Sequence, residues 1–203
     1  MAVNTDPREI IARSPMSALQ IIAVAITIGL NALDGFDVMS ISFASPGIAT
    51  EWGIDRGALG IVLSMELIGM ALGSIFLGGV ADKIGRRKTV LGCLVVMIVG
   101  MFMVTTARSL VVLSFWRVLT GLGIGGMLAS INAIAAEFSS NHRRHLSVSI
   151  MSIGYPVGVV LGGIVVQELL RDQPPEAWRS IFYFGGTVTA IFLPLFFFLV
   201  PES

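Results

Sequence analysis

Six long apolar runs, separated by short polar connections, constrain this chain more than any other feature. They occupy residues 18–43, 57–80, 89–106, 110–138, 147–170 and 181–200. Each is long enough, at about 1.5 Å per helical residue, to cross a hydrocarbon core about 30 Å thick with some tilt and ragged ends. Hydrophobic residues make up 55% of the 203 and charged residues 13%, so nothing is left over for an independent soluble domain. A mean hydropathy of +0.87 lies far above that of water-soluble domains. The expected class is an all-α, polytopic membrane protein: a tail over 1–17, then a six-helix bundle over 18–200.

The first run is too long for the core of a secretory signal and is expected to be a mature span. Basic residues are unevenly shared between the two sides. Arg8, Arg13, Lys83, Arg86, Arg87, Lys88, Arg143 and Arg144 lie on one side, against Arg56, Arg108, Arg171 and Arg179 on the other. By the positive-inside rule the tail and the end of the sixth span are both cytoplasmic, in a plasma (inner) membrane. Cys93 is the only cysteine, which rules out an internal disulfide and a cysteine metal cluster. No metal or cofactor is expected, and no nucleic acid; the lipid bilayer is the first partner.

Connections carry turn chemistry. Ser45-Pro46-Gly47 is expected to close the first helix, Asp55 to cap the second, and Asp172-Gln173-Pro174-Pro175 to part the fifth from the sixth. Trp52, Trp116, Trp178 and Tyr183 fall toward outer span ends, as interfacial aromatics do. Glycines at three- and four-residue spacing (Gly69 and Gly73, Gly121 and Gly125, Gly154, Gly158 and Gly162) read as stripes where helices approach closely.

The functional signal lies in charges inside the spans. Asp34 and Asp37 sit one turn apart in the first run. A carboxylate at a helix centre costs about 2.5–3.5 kcal/mol on insertion, so such acids usually face a cavity and handle substrate, ion or proton. Counting residues from the outer ends puts Asp37 about 9 Å deep, Arg117 about 10 Å, and Asp34 and Glu66 each about 13 Å. One arginine therefore shares a layer with three acids. Asp34 or Asp37 is its expected partner, and the acid left over is inclined to hold a proton. Glu66 is assigned to the same proton-coupling group, with a structural hydrogen-bonded role as the alternative. Asn31 extends the polar stripe as a substrate hydrogen-bonding group or as interhelical glue. Tyr155-Pro156 marks a mid-span kink, with Tyr155 a candidate cavity-lining residue. A purely structural ion pair fixing helix registry is the competing reading of the arginine.

Between the second and third spans stands Gly78-Gly79-Val80-Ala81-Asp82-Lys83-Ile84-Gly85-Arg86-Arg87-Lys88. This resembles the signature loop of the major facilitator superfamily. Arg117 followed by Gly121, Gly123 and Gly125 is similar to its fourth-helix motif. Glu137 with Arg143 and Arg144 resembles its cytoplasmic charge cluster, and Pro201-Glu202-Ser203 resembles the element that closes its sixth helix. Leu33-Asp34-Gly35-Phe36-Asp37 is similar to the first-helix motif of the aromatic acid:proton symporters. The resemblance implies one half of that fold, built from two inverted three-helix repeats. Residues 201–203 would begin the central cytoplasmic loop, and a second six-helix half would follow Ser203.

It also implies a secondary active transporter rather than an enzyme. The implied activity is uptake of an aromatic or other organic acid by alternating access, with protons as the coupling ion. Asp34, Asp37, Glu66 and Arg117 would couple the proton; Asn31, Arg117 and Tyr155 would bind substrate. Gly78, Asp82, Gly85, Arg86 and Arg87 would form the gating loop. Proton-driven efflux and a non-transporting membrane scaffold are the alternatives. The fifth-helix antiporter pattern is not matched, since Tyr155 precedes Pro156 and Gly162-Gly163 follows too late. An intramembrane hydrolase is disfavoured, because Asp34 and Asp37 share one helix and His142 and His145 lie outside the spans.

Overall fold

A computed structural model describes residues 18–139 and 144–200; the tail over 1–17, His142, Arg143, the side chain of Arg144 and the segment over 201–203 lie outside the described residues. Six long helices result: α1 (Ala18–Trp52), α2 (Arg56–Ile84), α3 (Arg86–Val104), α4 (Leu110–Glu137), α5 (Arg144–Leu169) and α6 (Arg179–Leu199). A 3₁₀ turn, Pro175–Trp178, leads into α6. All six carry windows long and apolar enough to span a bilayer. Away from their ends, helices pair main-chain groups internally, which is what a lipid environment demands.

α1 and α4 form the buried centre. α5 leans on α1, α2 leans on α4, and α3 and α6 pack against each other on the remaining side. Only one face of α2 and of α5 is covered; Ile75 and Phe76 on the first and Val160 and Leu161 on the second stay exposed. Two apolar clusters stack along the bundle. One gathers Leu30, Leu94, Met97, Met127 and Ile131, the other Ile41, Ile48, Leu113, Trp178 and Phe182.

The two tight crossings share three matching contacts. In the first, Gly158 faces the Ala32 carbonyl, Gly35 faces the Tyr155 carbonyl, and Gly162 faces Phe36. In the second, Gly69 faces the Val118 carbonyl, Gly121 faces the Glu66 carbonyl, and Gly73 faces Leu122. A Cβ at Gly35, Gly69, Gly73, Gly121 or Gly158 would collide with main chain, so these positions set the interhelical distance. α1 with α5 thus matches α4 with α2, which is the register of an inverted three-helix repeat. Asn31 precedes Ala32 as Arg117 precedes Val118, and Tyr155 takes the place that Glu66 holds in the other crossing.

Two expectations need correction. α1 does not end at Ser45-Pro46-Gly47 but runs through Pro46 to Trp52. Pro46 removes one helical hydrogen bond, yet Ala44 and Ile48 on either side are fully buried. A Cβ at Gly47 would sit 2.7 Å from the Pro175 carbonyl, so the 3₁₀ turn packs directly on this stretch and holds it helical. Trp178 is not an interfacial aromatic: it is fully buried, edge-on to Trp52 and Phe182. Tyr183, by contrast, is exposed as expected. Asp55 caps α2 by accepting from the Gly57 amide at 3.1 Å.

Candidate functional site

Arg117 of α4 is the fully buried cation among the described side chains, and it joins three helices. Its Nη1 donates to Asp37 Oδ1 at 2.9 Å and its Nη2 to the Asp37 carbonyl, also at 2.9 Å. Nη2 is also ion-paired with Glu66 of α2. The guanidinium lies 5.6 Å from the Phe182 ring centroid, so α6 supplies an aromatic face. Depth counting put Asp37, Glu66 and Arg117 at similar levels, and these three side chains meet. Of the two aspartates it left open, Asp37 is the one that holds Arg117.

Asp34 is fully buried, and neither of its carboxylate oxygens has a hydrogen-bond partner among the described residues. Cys93 of α3 and Tyr155 of α5 are its ionisable neighbours across the bundle, and Asp37 is its neighbour along α1. Asn31 donates from Nδ2 to the Met151 carbonyl at 2.6 Å and so ties α1 to α5. Tyr155 is half-buried at the same crossing, immediately before Pro156, which lies within α5.

Between α2 and α3 the chain reverses at Gly85, whose φ of 99° is a conformation that favours glycine. Arg86 follows at once, ion-paired with Glu137 at the end of α4 and 3.9 Å from Asp82. Arg87 donates to the Phe197 carbonyl and lies 5.0 Å from the Phe197 ring centroid, so it grips the last turn of α6. Gly78 lies inside α2, where a Cβ would meet Ala129 at an ordinary 3.7 Å. Of the cytoplasmic cluster Glu137, Arg143 and Arg144, only the Glu137 side chain is among the described ones.

Sequence reasoning missed a clasp at the end of the bundle remote from Gly85. Arg179 donates to both oxygens of Glu51, at 2.7 and 2.9 Å, and through Nε to the Thr105 carbonyl at 3.1 Å. Trp178 Nε1 also donates to Glu51, at 2.6 Å. The clasp fastens the outer turns of α1 to α6. The available signal was an opposite-charge pair at two outer span ends, hidden by the expectation that α1 stops before Glu51.

A membrane-embedded helical bundle with a buried arginine and three buried acids at its centre is the class that fold and site define. The chain belongs to the Major Facilitator Superfamily, whose profile matches residues 27–203. It is 31% identical over 98% of its length to the gallate transporter of Pseudomonas putida, covering 43% of that protein. It is 33% identical to the 4-hydroxybenzoate transporter PcaK of Acinetobacter baylyi, again over 98% of this chain and 43% of the relative. The chain therefore spans less than half the length of these relatives, which are transporters and not enzymes. Among solved structures it resembles the inward-open xylose transporter XylE from E. coli, with a TM-score of 0.80 at 19% identity, covering 91% of this chain and 49% of that one.

Proposed function

We propose that this chain is the amino-terminal half of a proton-coupled symporter that brings an aromatic or other organic acid into the cell. The observation that carries the reading is the central layer: one buried arginine, held by Asp37 and Glu66, beside a buried Asp34 without a hydrogen-bond partner among the described residues. A structural pair needs one acid. This layer has three.

Protonation of Asp37 from the outer side weakens its hold on Arg117, and the guanidinium then pairs with the carboxylate of the incoming anion. Asn31 keeps α5 against α1, and Tyr155 at that crossing lines the path of an aromatic ring. A second six-helix half, rocking against this one, exposes the site to either side in turn. Asp82, Gly85, Arg86 and Arg87 sit where the two halves part on the cytoplasmic side. Release of the proton inward restores the Asp37–Arg117 pair. On this reading the segment lies in the plasma (inner) membrane with both ends cytoplasmic, as the distribution of basic residues supports.

The test is uptake by cells expressing the full-length protein, with an imposed inward proton gradient and labelled 4-hydroxybenzoate and gallate as first probes. Asp37→Asn should abolish gradient-driven uptake while membrane abundance is retained. Unchanged uptake in that variant refutes the coupling role.

A further inference from the structure

We infer that the central layer contains two separate proton-binding sites, both filled in this conformation: one on Asp34, and one shared between Asp37 and Glu66. This deepens the symport reading and rests on it for its biological meaning, but the count comes from the geometry. Asp34, Asp37, Glu66 and Arg117 are all at most 1% exposed. Arg117 supplies one positive charge, and among the described acids it contacts Asp37 and Glu66 alone.

Asp37 and Glu66 converge on that single guanidinium from α1 and α2. One of them as an anion neutralises it. A second anion on the same group would be uncompensated and repelled by the first, so the pair shares one proton. Asp37 Oδ2 and Glu66 Oε1 accept no hydrogen bond among the described residues, which leaves an oxygen on each acid free to carry it.

Asp34 is a different case. The ionisable groups facing the layer are Glu66 on α2, Cys93 on α3, Arg117 on α4 and Tyr155 on α5, with Asp37 beside Asp34 on α1. α6 contributes the Phe182 ring. Arg117 is the sole cation of this set and is already engaged. An ionised Asp34 would have no donor, no counter-ion and a like charge one turn away, and a buried carboxylate so placed takes up a proton instead.

Infrared spectroscopy of the purified full-length protein at neutral pH counts protonated carboxyl groups through their C=O stretching bands. The expected wild-type spectrum contains at least two such buried groups that titrate out at high pH. Asp34→Asn removes one of them and leaves the other. Asp37→Asn and Glu66→Gln each remove the other one, because the surviving acid of the pair is ionised against Arg117. Intensity unchanged by Asp34→Asn, or unchanged by Asp37→Asn and Glu66→Gln, overturns the assignment. The wild-type count is decisive even where a variant fails to fold: one buried protonated carboxyl, or none, overturns it. Two protonated carboxyls in a protein that shows no proton-driven uptake would instead remove the symport reading and leave the two sites standing.

Discussion

Arg117 acts as a bracket because a guanidinium offers donors in several directions from one rigid plane, and here they reach a carboxylate, a main-chain carbonyl and a second carboxylate. A lysine ammonium has the charge but not the fork. Arg117→Lys should therefore abolish uptake and lower the melting temperature of the purified protein, with a loss of about 1.5–3 kcal/mol for each charged hydrogen bond that is not remade. Wild-type uptake in that variant would mean that positive charge alone suffices. The level of the layer was legible in the sequence, since Asp37, Glu66 and Arg117 count to similar depths. Which aspartate meets Arg117 was not. Residues three apart on a helix differ by about 60° around its axis, and the rotation of α1 is fixed by the seating of Gly35 on the Tyr155 carbonyl.

Helices in lipid gain little from burying apolar surface, so the α1–α5 and α2–α4 crossings depend on close main-chain packing. Gly158→Ala should push α5 off the Ala32 carbonyl, and Gly121→Ala should push α4 off the Glu66 carbonyl. Each is expected to cost about 1–3 kcal/mol as an overpacked contact, read as a lower melting temperature. Gly60→Ala, at a position with open space around it, serves as the control and should melt as wild type does. The glycine spacing showed in the sequence that such stripes exist, but not which stripe meets which helix. The proline in Ser45-Pro46-Gly47 misled for a related reason: a local break signal was outweighed by the packing of the 3₁₀ turn, a contact distant in sequence. Glu51→Gln should loosen the outer clasp, because Arg179 then loses its bidentate carboxylate. Reduced thermal stability with the depth layer intact is the expected result, and limited proteolysis near Thr105 and Arg179 would report it.

For the whole molecule, the half-covered α2 and α5 leave long apolar faces, and the chain spans only 43% of the gallate and 4-hydroxybenzoate transporters it resembles. The fold was largely legible, because six apolar runs mark the six helices and Gly85-Arg86-Arg87 marks the reversal between α2 and α3. Release of both protons along with each monovalent organic anion would carry one net positive charge inward. An inside-negative potential imposed without a pH gradient should then accelerate uptake into proteoliposomes; indifference to potential would point to a single proton. The most direct measurement is the pH of a weakly buffered suspension of de-energised cells expressing the full-length protein, recorded as the transported aromatic acid is added. The account predicts alkalinisation of the medium that accompanies uptake and vanishes in Asp37→Asn. Uptake without alkalinisation, or an equal response in that variant, would contradict it.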